Sequence, residues 1–163
     1  MSVKANLGQR LLTVWNGEPW YGSSSSAILA GVTAAEALAH PLPGAQSIWE
    51  TLLHMTAWTE ETASRLAGGE SKAPARGDWP AVTGSTQDEW MAAQGELLAA
   101  RKALLHAIET SHEESLFIQV PKKGEQGGTG ATRAHTVSGL ADHDVYHLGQ
   151  IALLKKSLKA SRA

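Results

Sequence analysis

The chain of 163 residues contains no cysteine. That excludes disulfides, thiolate nucleophiles and thiolate-bound zinc. A metal would have only His, Asp and Glu to hold it, and thiol chemistry would need a thiol from outside. Phenylalanine occurs once and tyrosine twice, against six tryptophans. Indoles fill cores at least as often as they line sites, so the skew alone assigns no site. Charge of either sign is also scarce in net terms: 14 Lys and Arg stand against 16 Asp and Glu, a formal −2. Without a basic excess, no nucleic-acid partner is expected. No apolar run reaches the roughly 18 residues of a membrane-spanning helix. The N-terminal MSVKANLGQR lacks the apolar centre of a signal peptide. The expectation is a cytoplasmic protein with no membrane partner, forming one domain over residues 1–163 that is large enough for a single core.

Strand patterns are rare as well, whereas helical spacing recurs. Leu7, Leu11 and Val14 predict a helix over residues 4–15, and Gly17, Pro19 and Gly22 end it. A short helix is expected near residues 27–31. Another begins at Thr33, whose spacing to Glu36 fits a capping box. Pro41 and Pro43 stop that region. A long helix over 47–66 carries Ile48, Leu52, Met55 and Leu66. A polar Gly/Pro-rich connection leads to a second, from Thr86 to Glu109, which would bury Trp90, Leu97, Leu104 and Ile108. Leu116–Val120 reads as a short extended piece, and the Gly-rich residues 122–132 as a flexible loop near the mouth of the bundle. The last helix is expected from Val137 to Leu158. The sum is an all-α four-helix bundle with short extra helices. Long connections after the first and third major helices leave the order of directions open.

Seven histidines are present. On the last helix His147 shares an arc with Leu140, Ile151 and Leu154, and His143 sits at its edge one turn earlier. Side chains four apart lie above one another, so two imidazoles at this spacing can reach one ion. The alternative is a pair of partly buried rings bonded to carbonyls. His54 falls on the flank of its helix, beside Glu50, Trp58 and Glu61. It joins the pair only if that flank faces the last helix. His106 points away from its helix's apolar arc, and His40, His112 and His135 lie at element ends or in loops, where solvation is expected.

Two segments together resemble a known family: SIWETLLHMTAW at 47–58, and TVSGLADHDVYHLGQIALLKK at 136–156. They resemble the DinB-like family of metal-binding four-helix bundles. The likeness extends over Pro19–Glu50 and is weakest in residues 70–85 and 119–133. The resemblance implies an up-down-down-up bundle and a divalent-metal site of His54, His143 and His147, with Zn²⁺ or Ni²⁺ as the expected ion. Family members include S-transferases that use low-molecular-weight thiols and a thiol-dependent maleylpyruvate isomerase, and dimers are common. A homodimer acting on a small molecule, by thiol transfer or by hydrolysis with a low-molecular-weight thiol as possible cosubstrate, is the expectation it carries. A metal- or ligand-binding module without turnover needs the same ligands. A purely structural dimerising bundle needs none, and Trp49 and Leu53, off the main stripe of their helix, would suit either a dimer face or a central position.

Each ligating imidazole needs an acceptor for its second N–H. Asp144, on the inward arc of the last helix, and Glu50, one turn before His54, are the candidate orienting groups, each otherwise a surface acid. Gln150, three residues after His147 on the same face, either lines the site or packs between helices. Trp58, four after His54, either walls the pocket or belongs to the core. The Gly-rich stretch lacks the phosphate-binding P-loop pattern, and Ser23–Ser26 lacks a nucleophile elbow.

Overall fold

The computed structural model describes residues 2–122 and 128–160. Four long helices make the bundle: α1 (Val3–Asn16), α4 (Ile48–Leu66), α5 (Gln87–Thr110) and α6 (Arg133–Ala160), with short α2 (Ser25–Leu29) and α3 (Ala34–Leu38) between the first two. Their starts are chemically marked. Ser47 and Thr86 close capping boxes with Glu50 and Glu89, and Thr33 does so with Glu36, each pair satisfying backbone N–H groups the helix cannot. The predicted stripes meet in one core: Leu11, Ile48, Leu52, Met55, Trp90, Leu104 and Ile151 are fully enclosed. Trp49 packs on Trp90 with ring centroids 5.3 Å apart, so its burial is accounted for within one chain. No helix among the described residues is long and apolar enough to cross a membrane.

Residue contacts fix the direction of each helix. Lys4, at the start of α1, donates to the carbonyls of Glu109 and Ser111 at the end of α5, so those helices are antiparallel. Arg10 pairs with Asp142, and Trp15 with Asp144, so α1 and α6 run together. The Trp49–Trp90 contact joins the starts of α4 and α5, which are therefore parallel. The bundle is up-down-down-up. Two consecutive parallel helices force the chain back along the bundle between them, a distance of about 28 Å for 19 residues at 1.5 Å each. Residues 67–86 form that return strap. The crossover thus falls after the second major helix rather than after the first or third.

Three expectations need correction near the C-terminus. Glu113–Phe117 is a single 3₁₀ turn that inserts Leu116 into the core; only then does a strand follow, β1 (Gln119–Pro121). It pairs antiparallel with β2 (Gly128–Thr132), so the end of the Gly-rich stretch is a hairpin arm rather than loop, while residues 123–127 lie outside the described residues. Helix α6 starts four residues before Val137 because the Thr132 hydroxyl accepts from the His135 N–H, a cap that the extended Thr132 supplies.

Candidate metal centre

His54, His143 and His147 converge. The flank of α4 carrying His54 faces α6, and the antiparallel crossing brings residue 54 level with the i,i+4 pair. Nε2 of His143 lies 2.9 Å from Nε2 of His54 and 3.1 Å from Nε2 of His147. His54 and His147 are each 5% exposed, and the His143 side chain 27%. His40, His106, His112 and His135 are all exposed and take no part.

The outer nitrogens decide what the inner ones can do. His54 Nδ1 donates to the Asp78 carbonyl at 2.6 Å, with the Asp78 carboxylate 3.4 Å away. His147 Nδ1 donates to Gln150 Oε1 at 2.7 Å. A neutral imidazole has one N–H, so both of these rings present lone pairs at Nε2. Burial, then the neighbouring His147 and His54, push His143 down to about 4, and burial also lowers His147. His143 and His147 are therefore neutral at pH 7, and the bonds on the outer nitrogens of His54 and His147 aim the Nε2 atoms of those two rings at one small space. Converging lone pairs repel unless a cation or proton lies between them. Adjacent nitrogens bonded at about 2.1 Å to one ion lie about 3.0 Å apart in octahedral and about 3.4 Å in tetrahedral geometry. The two spacings to His143 fall in or just below this range, and three imidazoles within reach of one another fit a divalent cation.

Around this trio the sequence-predicted neighbours divide. Gln150 bonds His147. Trp58 stands beside both His54 and His143, at 6.3 and 6.1 Å between centroids, and its indole N–H donates to Asp78 Oδ1 at 2.7 Å. Glu50 does not reach His54: its carboxylate is taken by the Ser47 N–H in the capping box and by His40, at 2.6 and 2.9 Å. Asp144 is fully buried beside His143 without bonding to it. Its Oδ2 accepts from Trp15 Nε1 at 2.6 Å and from Arg101 Nη2 at 3.1 Å, whereas Oδ1 stands 4.0 Å from His143 Nδ1. Burial raises the Asp144 carboxyl against the opposing pull of Arg101.

Sequence reasoning missed Asp78 and Trp79. Trp79 stacks on His54 at 3.9 Å and 13°. Both come from the return strap, which Arg76 fastens to Glu60 and Glu96. An indole inside an otherwise polar Gly/Pro segment, GDWP, was the available signal. Arg101 was missed too, although it falls between Leu97 and Leu104 on the buried arc of α5.

The lowered His143 has a measurable consequence. Its folded value lies below the ordinary histidine value near 6.5, so the folded state binds fewer protons than the unfolded state across that interval, and stability rises with pH there. The metal-free protein is expected to lose stability as pH falls from about 6.5 towards 4. His143→Gln should flatten that loss, as read from urea midpoints at several pH values; parallel slopes in the two proteins would refute the assignment.

The family model for the DinB superfamily matches residues 23–151, a span containing all three histidines, the strap, Arg101 and Asp144. No curated protein matches the chain, and neither does any solved structure.

Proposed function

The chain belongs to the DinB superfamily, and we propose that it is a divalent-metal-dependent enzyme of the thiol-transfer or hydrolytic type, with Zn²⁺ or Ni²⁺ held by His54, His143 and His147. One observation carries this reading: three Nε2 atoms meet, two of them fixed as lone-pair donors by bonds on their far sides. Three neutral protein ligands leave coordination positions for another molecule, the pattern of catalytic rather than closed structural sites. When bound, such an ion supplies Lewis acidity, bringing a water's pKa to about 7 or deprotonating a thiol. The chain's own part is to hold and shield. Gln150 and the Asp78 carbonyl orient two rings, and the Trp79 face covers His54. Tyr146, 5.0 Å from His147, adds an exposed ring beside the centre. His143 is the least covered of the three, and a small substrate approaches from its side. Because the chain has no cysteine, the thiol in a transfer reaction is a low-molecular-weight cosubstrate.

The test uses protein purified without a histidine tag. Close to one metal ion per chain is expected, falling sharply in His143→Ala. The loaded protein is then given bacillithiol, mycothiol or glutathione with a haloarene, and separately an activated ester. Metal-dependent loss of free thiol or of ester is expected. Bound metal with no rate above background for either reaction would reduce the protein to a binding module, and absence of metal would remove the proposal.

A further inference from the structure

Among the described residues, two of the three imidazoles have an acceptor on their outer nitrogen, and the third has none. His143 Nδ1 is buried there without a hydrogen-bond partner, and so is Asp144 Oδ1, 4.0 Å from it. Buried polar atoms left unpaired cost free energy, and two facing orphans on neighbouring side chains call for an explanation. Resting on the metal-centre reading above, we propose that Asp144 is a positioning residue. It accepts the His143 Nδ1–H through Oδ1 when the centre is loaded, while Trp15 and Arg101 hold its other oxygen from α1 and α5.

The proton arithmetic gives the reason. In the metal-free centre, His143 Nε2 stands 2.9 and 3.1 Å from two lone pairs, so the single proton of this neutral ring is best placed on Nε2, donating to them. Nδ1 is then an acceptor facing another acceptor, and the pair stays apart at 4.0 Å. A cation in the centre requires the Nε2 lone pair. The proton must then sit on Nδ1, with no net gain or loss by the ring. Asp144 Oδ1 is the acceptor facing it, and a side-chain movement of about 1 Å closes the gap to hydrogen-bond distance. A purely structural role, as the partner of Arg101, accounts for Oδ2 and leaves Oδ1 unexplained. The arrangement makes His143 the ligand whose tautomer changes on loading, and ties it to the two helices that contribute no ligand.

The experiment follows His143 by ¹⁵N NMR of the histidine rings, with Zn²⁺ as the probe, alongside zinc affinity. The ring is expected as the Nε2–H tautomer without zinc. With zinc it should carry a hydrogen-bonded Nδ1–H. In Asp144→Asn the amide oxygen is claimed by Trp15 and Arg101, so its NH₂ faces His143 and opposes an Nδ1–H. Zinc affinity should fall by about 10- to 100-fold, the usual effect of losing an outer acceptor, and the hydrogen-bonded Nδ1–H signal of His143 should be lost while those of His54 and His147 persist. Because this variant leaves Arg101 without its anion, Asp144→Asn is also made in Arg101→Gln, where the same fall relative to Arg101→Gln is expected. Zinc binding with unchanged affinity in both backgrounds would overturn this role while leaving the metal centre standing. A wild-type protein that binds no zinc would overturn the metal centre, and the role of Asp144 with it.

Discussion

Zinc at a hundred times its dissociation constant is expected to raise the thermal midpoint of the wild-type protein by about 5–10 °C, and His54→Ala should abolish most of that rise. A ligand that binds only the folded state at this excess adds about 2.7 kcal/mol, and each kcal/mol moves the midpoint of a chain this size by about 2–4 °C. The condition of folded-state binding is unusually well met here. His54 and His143 are 89 residues apart in sequence, on antiparallel helices that must dock before their nitrogens meet. The unfolded chain retains only the i,i+4 pair, too few ligands to compete. In His54→Ala the folded protein is reduced to the same pair, so the differential between folded and unfolded states collapses. His106→Ala, at an exposed ring outside the trio, should keep the full increment. Scanning calorimetry with zinc and with chelator measures all three proteins. An equal rise in wild type and His54→Ala would mean that zinc acts elsewhere.

How much of this centre could be read before folding depends on which interaction decides each residue. The i,i+4 pair of His143 and His147 is local geometry and visible in the sequence. The capping boxes at Thr33, Ser47 and Thr86 are equally local, and their helices begin where the spacing predicts. Glu50 shows one local signal overriding another. Its position one turn before His54 suggested an orienting role, but a carboxylate at the third helical position is drawn to the orphan N–H groups behind it, and the Ser47 box claims it. The facing of His54 is a different matter. Periodicity puts it on a flank, and only the packing of α4 against α6 turns that flank inward. Trp79 stands out only as an indole in a polar segment, and the place of Asp78 and Trp79 beside His54 was illegible for a third reason. They reach His54 because parallel α4 and α5 oblige the strap to run back past it, and nothing within the strap itself encodes that path. Position alone flags Arg101, four residues after Leu97 on a buried arc. A guanidinium there reads as a surface charge until Asp144 is known to be opposite.

That buried pair supports the second large effect. Arg101→Met is expected to destabilise the protein by about 3–5 kcal/mol at pH 7, the range seen when one partner of a buried ion pair is removed. Methionine fills much of the stem volume, so the loss is not chiefly a cavity. It arises because Asp144, with no exposed surface, keeps only the Trp15 N–H as a partner for its charge. The Ser25 hydroxyl loses its donor as well, and the cation stacked over Trp15 at 4.9 Å is gone. The pH dependence separates this cause from simple repacking. Burial already raises the Asp144 carboxyl, and removing Arg101 takes away the first opposing influence. In the variant its folded value rises further above the unfolded value near 3.9, so the folded state binds more protons than the unfolded state. Stability from that excess is present at low pH and is lost as pH rises through the raised value. The deficit relative to wild type should therefore be larger at pH 7 than at pH 5. Denaturant midpoints of both proteins at the two pH values measure it, and a deficit independent of pH would show that Arg101 acts by packing and not through its charge on Asp144.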